Sequence, residues 1–147
     1  MILDKQAEFS DAQDISQVAA TYLSTNVYDM GAANDIGNGQ PLYLVIQIDA
    51  AVVGTSSTVE FRLRSDSTAA IHATTSTAHW TSGAIAEASL VAGYTLVIPL
   101  PLDGSNTYER FLGVQYIIGT ATTTAGTVSA FLTLDPYGWK SYPDATN

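Results

Sequence analysis

The chain has 147 residues and a mass of 15.5 kDa, one domain that can bury roughly two-thirds of the surface it exposes when unfolded. Charged residues are 13 %, about half the usual share of roughly 25 %, and 14 acidic residues stand against 5 basic ones for a net charge of −9. So few cations argue against a nucleic-acid partner or an anionic membrane surface, and the absence of cysteine removes disulfides, zinc-thiolate sites, iron–sulfur clusters and thiol catalysis.

Thr and Ser replace the missing charge, with 18 and 13 residues. A chain rich in Thr, Val, Ile and Tyr and poor in Lys, Glu and Arg lacks the material of amphipathic helices and suits strands. No stretch of about twenty apolar residues is present. The opening from Met1 to Glu8 is polar by its fourth residue, unlike a secretory signal.

Residues 1–40 have no clear period. Thr21–Met30 reads as a short extended piece, and Gly31–Pro41, with three Gly, two Asn and one Pro, as a loop. Leu42, Leu44, Ile46, Ile48 and Ala50 then alternate with Tyr43, Val45, Gln47 and Asp49, a period of two that predicts a strand. Val52–Ser57 reads as a turn. Val59, Phe61 and Leu63 alternate with Thr58, Glu60, Arg62 and Arg64, a half-buried strand with a charged outer face.

Ser65–Thr68 reads as a turn and Ala69–Thr74 as a weak strand. Ile85–Ala92 fits a helix turn or a strand. Tyr94–Pro101 is extended, and its prolines place its end at a sheet edge. Phe111–Ile118 sets Leu112, Val114, Tyr116 and Ile118 on one face. Gly119–Gly126 reads as a hairpin connection, and the strand Thr127–Leu134 turns Val128, Ala130, Leu132 and Leu134 inward. The tail, residues 135–147, is aromatic and broken by proline.

Several short strands at close intervals without βαβ alternation predict an all-β protein: a single antiparallel jelly-roll sandwich, with the immunoglobulin type as alternative. The expected core is Leu44, Ile46, Ile48, Val59, Phe61, Leu63, Val114, Tyr116, Val128 and Leu132.

The sequence offers little chemistry. His72 and His79 are seven apart, which fits neither a strand pair nor a helix pair of metal ligands. Asn34, Asp35 and Asn38, or Asp103 with Asn106, only approach a calcium loop and read more simply as turns. No serine sits in a G-x-S-x-G elbow, and Asp49 and Glu60 read as outward, solvated carboxylates. Neither a cofactor nor catalysis is expected. Trp80, Tyr137, Trp139 and Tyr142 lie in loop or tail contexts. They could form a sugar-stacking platform, anchor an interface, or cover the protein's own core.

The opening Leu3–Gln13, the pieces Ser24–Gly31 and Gly39–Leu42, the Pro99–Pro101 run, the Arg110–Val114 strand and the terminal strand Gly126–Leu134 together resemble the capsid cement (decoration) proteins of short-tailed bacteriophages. That resemblance implies a jelly-roll knob on the outer surface of an icosahedral shell, made in the host cytoplasm. It implies homodimers that straddle joins between subunits of the major capsid protein, no catalysis, no nucleic acid and no membrane. Residues 1–13 are then expected as an extended arm on a domain that folds without them. The expected contacts with capsid or sister subunit are Ile2, Leu3, Asp4, Phe9, Gln13, Tyr28, Tyr137, Trp139 and Tyr142. The acidic excess adds an expectation of basic patches on the partner and of weaker binding at high salt. The alternatives are a carbohydrate-binding or receptor-binding β-sandwich module of a phage, and a small hydrolase using His72 or His79.

Overall fold

The structure, a computed structural model, describes residues 4–33, 36, 39–102 and 106–137. Its strands are β1 (Glu8–Asp14), β2 (Thr21–Leu23), β3 (Tyr28–Asp29), β4 (Tyr43–Gly54), β5 (Thr58–Asp66), β6 (Thr77–Thr81), β7 (Ile85–Ala86), β8 (Thr95–Pro99), β9 (Phe111–Gly119) and β10 (Thr123–Thr133). All pairings are antiparallel. One sheet runs β1-β10-β4-β8; the other runs β2-β9-β5-β6, with β3 also on β9 and β7 also on β5.

β2 and β3 share the partner β9, and β6 and β7 share β5, so each pair acts as one interrupted strand. With those merged, every step along the chain from β1 to β5, and from β6 to β10, crosses from one sheet to the other, and the step from β5 to β6 closes a pair within one sheet, as a jelly roll requires. The expected fold class is thus present: an all-β, antiparallel jelly-roll sandwich.

The long strands form where the alternation is cleanest. All ten expected core residues are buried. Phe61 on β5 lies opposite Tyr116 on β9, their rings edge to face at 5.9 Å. The core also takes Phe9, Ile15, Leu90, Tyr108 and Leu112, from segments without a clear period. Pro99 ends β8 at the edge of its sheet, where the missing N–H breaks no ladder.

Several expectations change. Residues 8–13 of the expected arm are not detached: they belong to β1, paired with β10 from Glu8↔Phe131 to Asp14↔Thr127. Register shifts at Ser10 and Gln13, with Ala12 at φ 47°, break the alternation there. Ala69–Thr74 is loop, and the strand of that region is β6. β4 continues through Val52–Gly54, and the expected hairpin connection at Gly119–Gly126 is instead a crossover: residues 120–122 carry the chain from β9 in one sheet to β10 in the other. Leu134 lies just beyond β10 and is exposed rather than inward.

The two broad outer faces differ. On the β5–β9 sheet, loop 67–76 lies across the outside. Ile71 is buried against Gly113, whose missing side chain makes the room: a Cβ there would sit 2.6 Å from Ile71 Cδ1. Arg64 Nη1 donates to Ser76 O at 2.8 Å and Gln115 Nε2 to Ile71 O at 3.3 Å, so the loop's carbonyls are held from the strands beneath. At the other end of the loop, Asp66 accepts from Thr68 N–H and from the Ser76 hydroxyl.

Candidate functional site

Among the described residues, a contact that imitates catalytic machinery joins Ser65 Oγ and His79 Nε2 at 2.7 Å. Ser65 Oγ accepts the Glu109 N–H at 3.0 Å, and the His79 ring stacks on Tyr108 at 3.8 Å. Ser65 and Tyr108 are fully buried. A hydroxyl enclosed in the sandwich cannot reach a substrate carbonyl, so the pair acts as a polar pin between β5, β6 and the segment before β9. His72 is exposed on loop 67–76, apart from that pin. Among the described residues no three His, Asp or Glu are grouped to hold a metal ion. Asn34, Asp35, Asn38 and Asp103 lie outside the described residues.

The expected interface residues scatter into three settings. Ile2, Leu3, Trp139 and Tyr142 lie outside the described residues. Phe9 is fully buried in the core, which removes it from any surface. Gln13 is structural as well: its Oε1 accepts from the hydroxyl of Ser10 and from Thr25 N, and its Nε2 donates to Leu23 O, tying β1 to β2 and the segment beyond it. Because Ser10 donates to Gln13, the neighbouring Tyr116 hydroxyl donates to Ser10. Tyr28 is half-buried against the core. Asp4 is exposed and caps a 3₁₀ turn at Lys5–Ala7, accepting from Gln6 N at 3.0 Å. Tyr137 remains, 78 % exposed. Of the described aromatic side chains it alone is classed as exposed; Trp80 packs partly buried against the core.

What the fold does assemble is a surface. β1, β10, β4 and β8 carry no Lys or Arg, but they carry Glu8, Asp11, Asp14 and Asp49. Toward the Thr133 end of the outer face, Phe131 and Val45 lie side by side and are buried. Toward the Gly54 end burial falls away: Asp49, Ala50, Ala51 and Val53 are exposed. Across β10 from them stand Asp11 and Asp14 on β1, also exposed. Register places Asp14, Thr127 and Ala50 in one row. Ser129 binds its neighbours on both sides, donating to Asp49 Oδ2 at 2.7 Å and accepting from Ala12 N at 3.0 Å. The hydroxyl and N–H of Ser16 both donate to Asp14 and hold its carboxyl below the ordinary range.

The sheet that carries the covering loop holds the arginines. Arg62 pairs with Glu60 at 2.6 Å, and Arg110 grips Asp29 through two bonds of 2.8 Å. The Arg110 guanidinium, helped by the Gly31 N–H, lowers the Asp29 carboxyl to about 2. A depressed carboxylate favours the folded state above its unfolded value, and that contribution is lost as pH falls through about 2. NMR titration of Asp29 is therefore expected to give a midpoint near 2, rising toward the ordinary carboxylate range in Arg110→Gln, where the Gly31 N–H still holds it somewhat down. An unchanged midpoint in that variant would remove the ion pair as the cause.

Sequence reasoning missed this surface because Asp11, Asp14 and Asp49 are brought together only by the strand between them. The available signal was the run Asp49-Ala50-Ala51, where the large apolar residues of β4 stop. A family model described as Bbp16 matches residues 9–132, most of the chain. No curated protein matches it. Among the described residues no helix is long and apolar enough to cross a membrane.

Proposed function

The chain belongs to the Bbp16 family, and from that premise we propose that it is a structural phage virion protein, a cement protein on the outer surface of an icosahedral capsid. It binds the major capsid protein where subunits meet, pairs with a second copy of itself, and stabilises the assembled shell. It performs no catalysis, holds no cofactor, and engages neither nucleic acid nor membrane. Such a protein acts by mass action: it binds assembled shell better than free subunits and so favours the intact particle. Many modest contacts repeated around the shell supply the effect.

The observation that carries this reading is the jelly roll itself, spanning the family match with one broad face clad by its own loop and the other offering an open quadrant. It is supported by the resemblance of the segments from Leu3 to Leu134 to cement proteins, and by a Ser–His contact whose serine is fully buried. The test is cofractionation on a density gradient. The chain is expected to travel with mature virions and to bind expanded shells added in vitro. Its presence in host cytoplasm alone, with none on virions, would overturn the reading.

A further inference from the structure

We infer that the open quadrant of the β1-β10-β4-β8 face, built from Asp11, Asp14, Asp49 and Val53, is the surface that docks on the shell, and that its partner is a protein surface of lysines or arginines set among apolar side chains. The inference rests on the capsid-binding reading above and adds the face and the chemistry of the partner.

Three observations converge on it. First, the opposite outer face is occupied: loop 67–76 lies over it with Ile71 and Ser76 buried, and its carbonyls are held by Arg64 and Gln115. Second, the open face is amphipathic. Val53 is 50 % exposed there, and Val97 on β8 faces the same way, opposite Val45 in the adjoining row. Apolar side chains between charges are what a partner of protein surface needs, since apolar burial supplies affinity and charge supplies register and approach. Third, the four strands bring carboxylates and no cation.

The sign of the charge selects the occupant. Two copies of this chain pressed together at this face would set carboxylates against carboxylates, so a second copy is disfavoured there. Phosphate-bearing partners are repelled on the same ground. A single metal ion does not fit either, because these acids are spread along two strands with β10 between them and no group of three converges. Separate point charges on a sheet fit several basic side chains, each meeting one carboxylate.

The test compares native protein with Asp11→Asn/Asp14→Asn/Asp49→Asn on expanded shells assembled from the accompanying major capsid protein. Asparagine keeps acceptors for Ser16 and Ser129, and an unchanged thermal melt confirms folding. The native protein is expected to lose affinity steeply between about 50 and 500 mM NaCl; the variant is expected to bind about tenfold or more weakly at low salt, with a much flatter salt response. A folded variant that decorates like the native protein at every salt concentration overturns the face assignment and leaves the cement reading standing. Native protein that never decorates shells overturns both. A second measurement needs no variant: a carbodiimide joins carboxylates directly to lysine amines. Cross-links to shell lysines are expected from Asp11, Asp14 or Asp49. Cross-links from Glu60, Asp66 or Glu87 alone would place the shell against another side.

Discussion

Phe9→Ala is expected to lower the unfolding free energy by about 3–5 kcal/mol, the range for truncating a fully buried aromatic residue. That is a large part of the roughly 5–15 kcal/mol a domain of this kind has in total. Phe9 has no exposed surface and packs in the central cluster, and its carbonyl accepts the Asn26 N–H at 2.8 Å. Its neighbours share the loss. Ser10 and Gln13 form the polar links from β1 to Tyr116, Leu23 and Thr25. Removing residues 1–13 altogether would also bare the β10 edge, with its unpaired ladder groups. That truncation is therefore expected to abolish cooperative unfolding rather than leave a folded domain with a missing arm. Urea titration followed by circular dichroism checks both: a markedly lower midpoint for Phe9→Ala, and no sigmoidal transition for the truncation. A truncated chain with a native midpoint would show that β1 is a dispensable clamp after all. Phe9→Leu, which refills most of the volume, should cost far less.

The same strand explains where sequence reading stops. β4, β5, β9 and β10 are long, run through the middle of their sheets and bury one face, so their apolar residues recur every second position and all ten of the core residues expected from them are buried. β1 is built differently. It gives Phe9 to the core and Ile15 follows six residues later, because the bulges around Ser10 and Gln13 consume the residues between. Phe9 and Ser10 are adjacent and both buried, the serine bonded to Tyr116, so the period of two is broken at its first step. β6 hides similarly: His79 is skipped in the register between Leu63↔Trp80 and Arg64↔Ala78, and it packs by stacking on Tyr108. The open quadrant is a third case. Composition yields the net charge, but only the pairing of β1 and β4 with β10 puts Asp11, Asp14 and Asp49 on one side of the molecule.

Gly126→Ala is expected to cost about 2–4 kcal/mol, backbone strain and overpacking combined. Read from sequence, this glycine closes a hairpin; in the fold it lies within β10, inside the register shift between Ala125 and Thr127, with further shifts on either side at Thr123/Ala125 and Thr127/Val128. Its φ of 140° is one that residues with a side chain rarely adopt. An added Cβ would lie 3.1 Å from Val52 Cγ2, 3.2 Å from Val52 Cα and 3.3 Å from Ile15 Cγ1. Neither neighbour yields easily, since one contact is backbone and both residues are core. The Gly126 carbonyl accepts the Ile15 N–H at 3.0 Å, so any shift of β10 also pulls on the segment that follows β1. Gly93 supplies the control: its φ is also positive, at 85°, but nothing lies within 4 Å of where its Cβ would be. Gly93→Ala should therefore cost only the strain, about 1–2 kcal/mol. Equal losses in the two variants, measured by urea midpoint, would mean that Val52 and Ile15 relax freely and the crowding costs nothing. A larger loss at Gly126 would carry a second consequence. Thr127, the next residue, holds the row from Asp14 to Ala50, so a displaced β10 should weaken shell binding as well as stability, by disturbing the spacing of the carboxylates on either side of it.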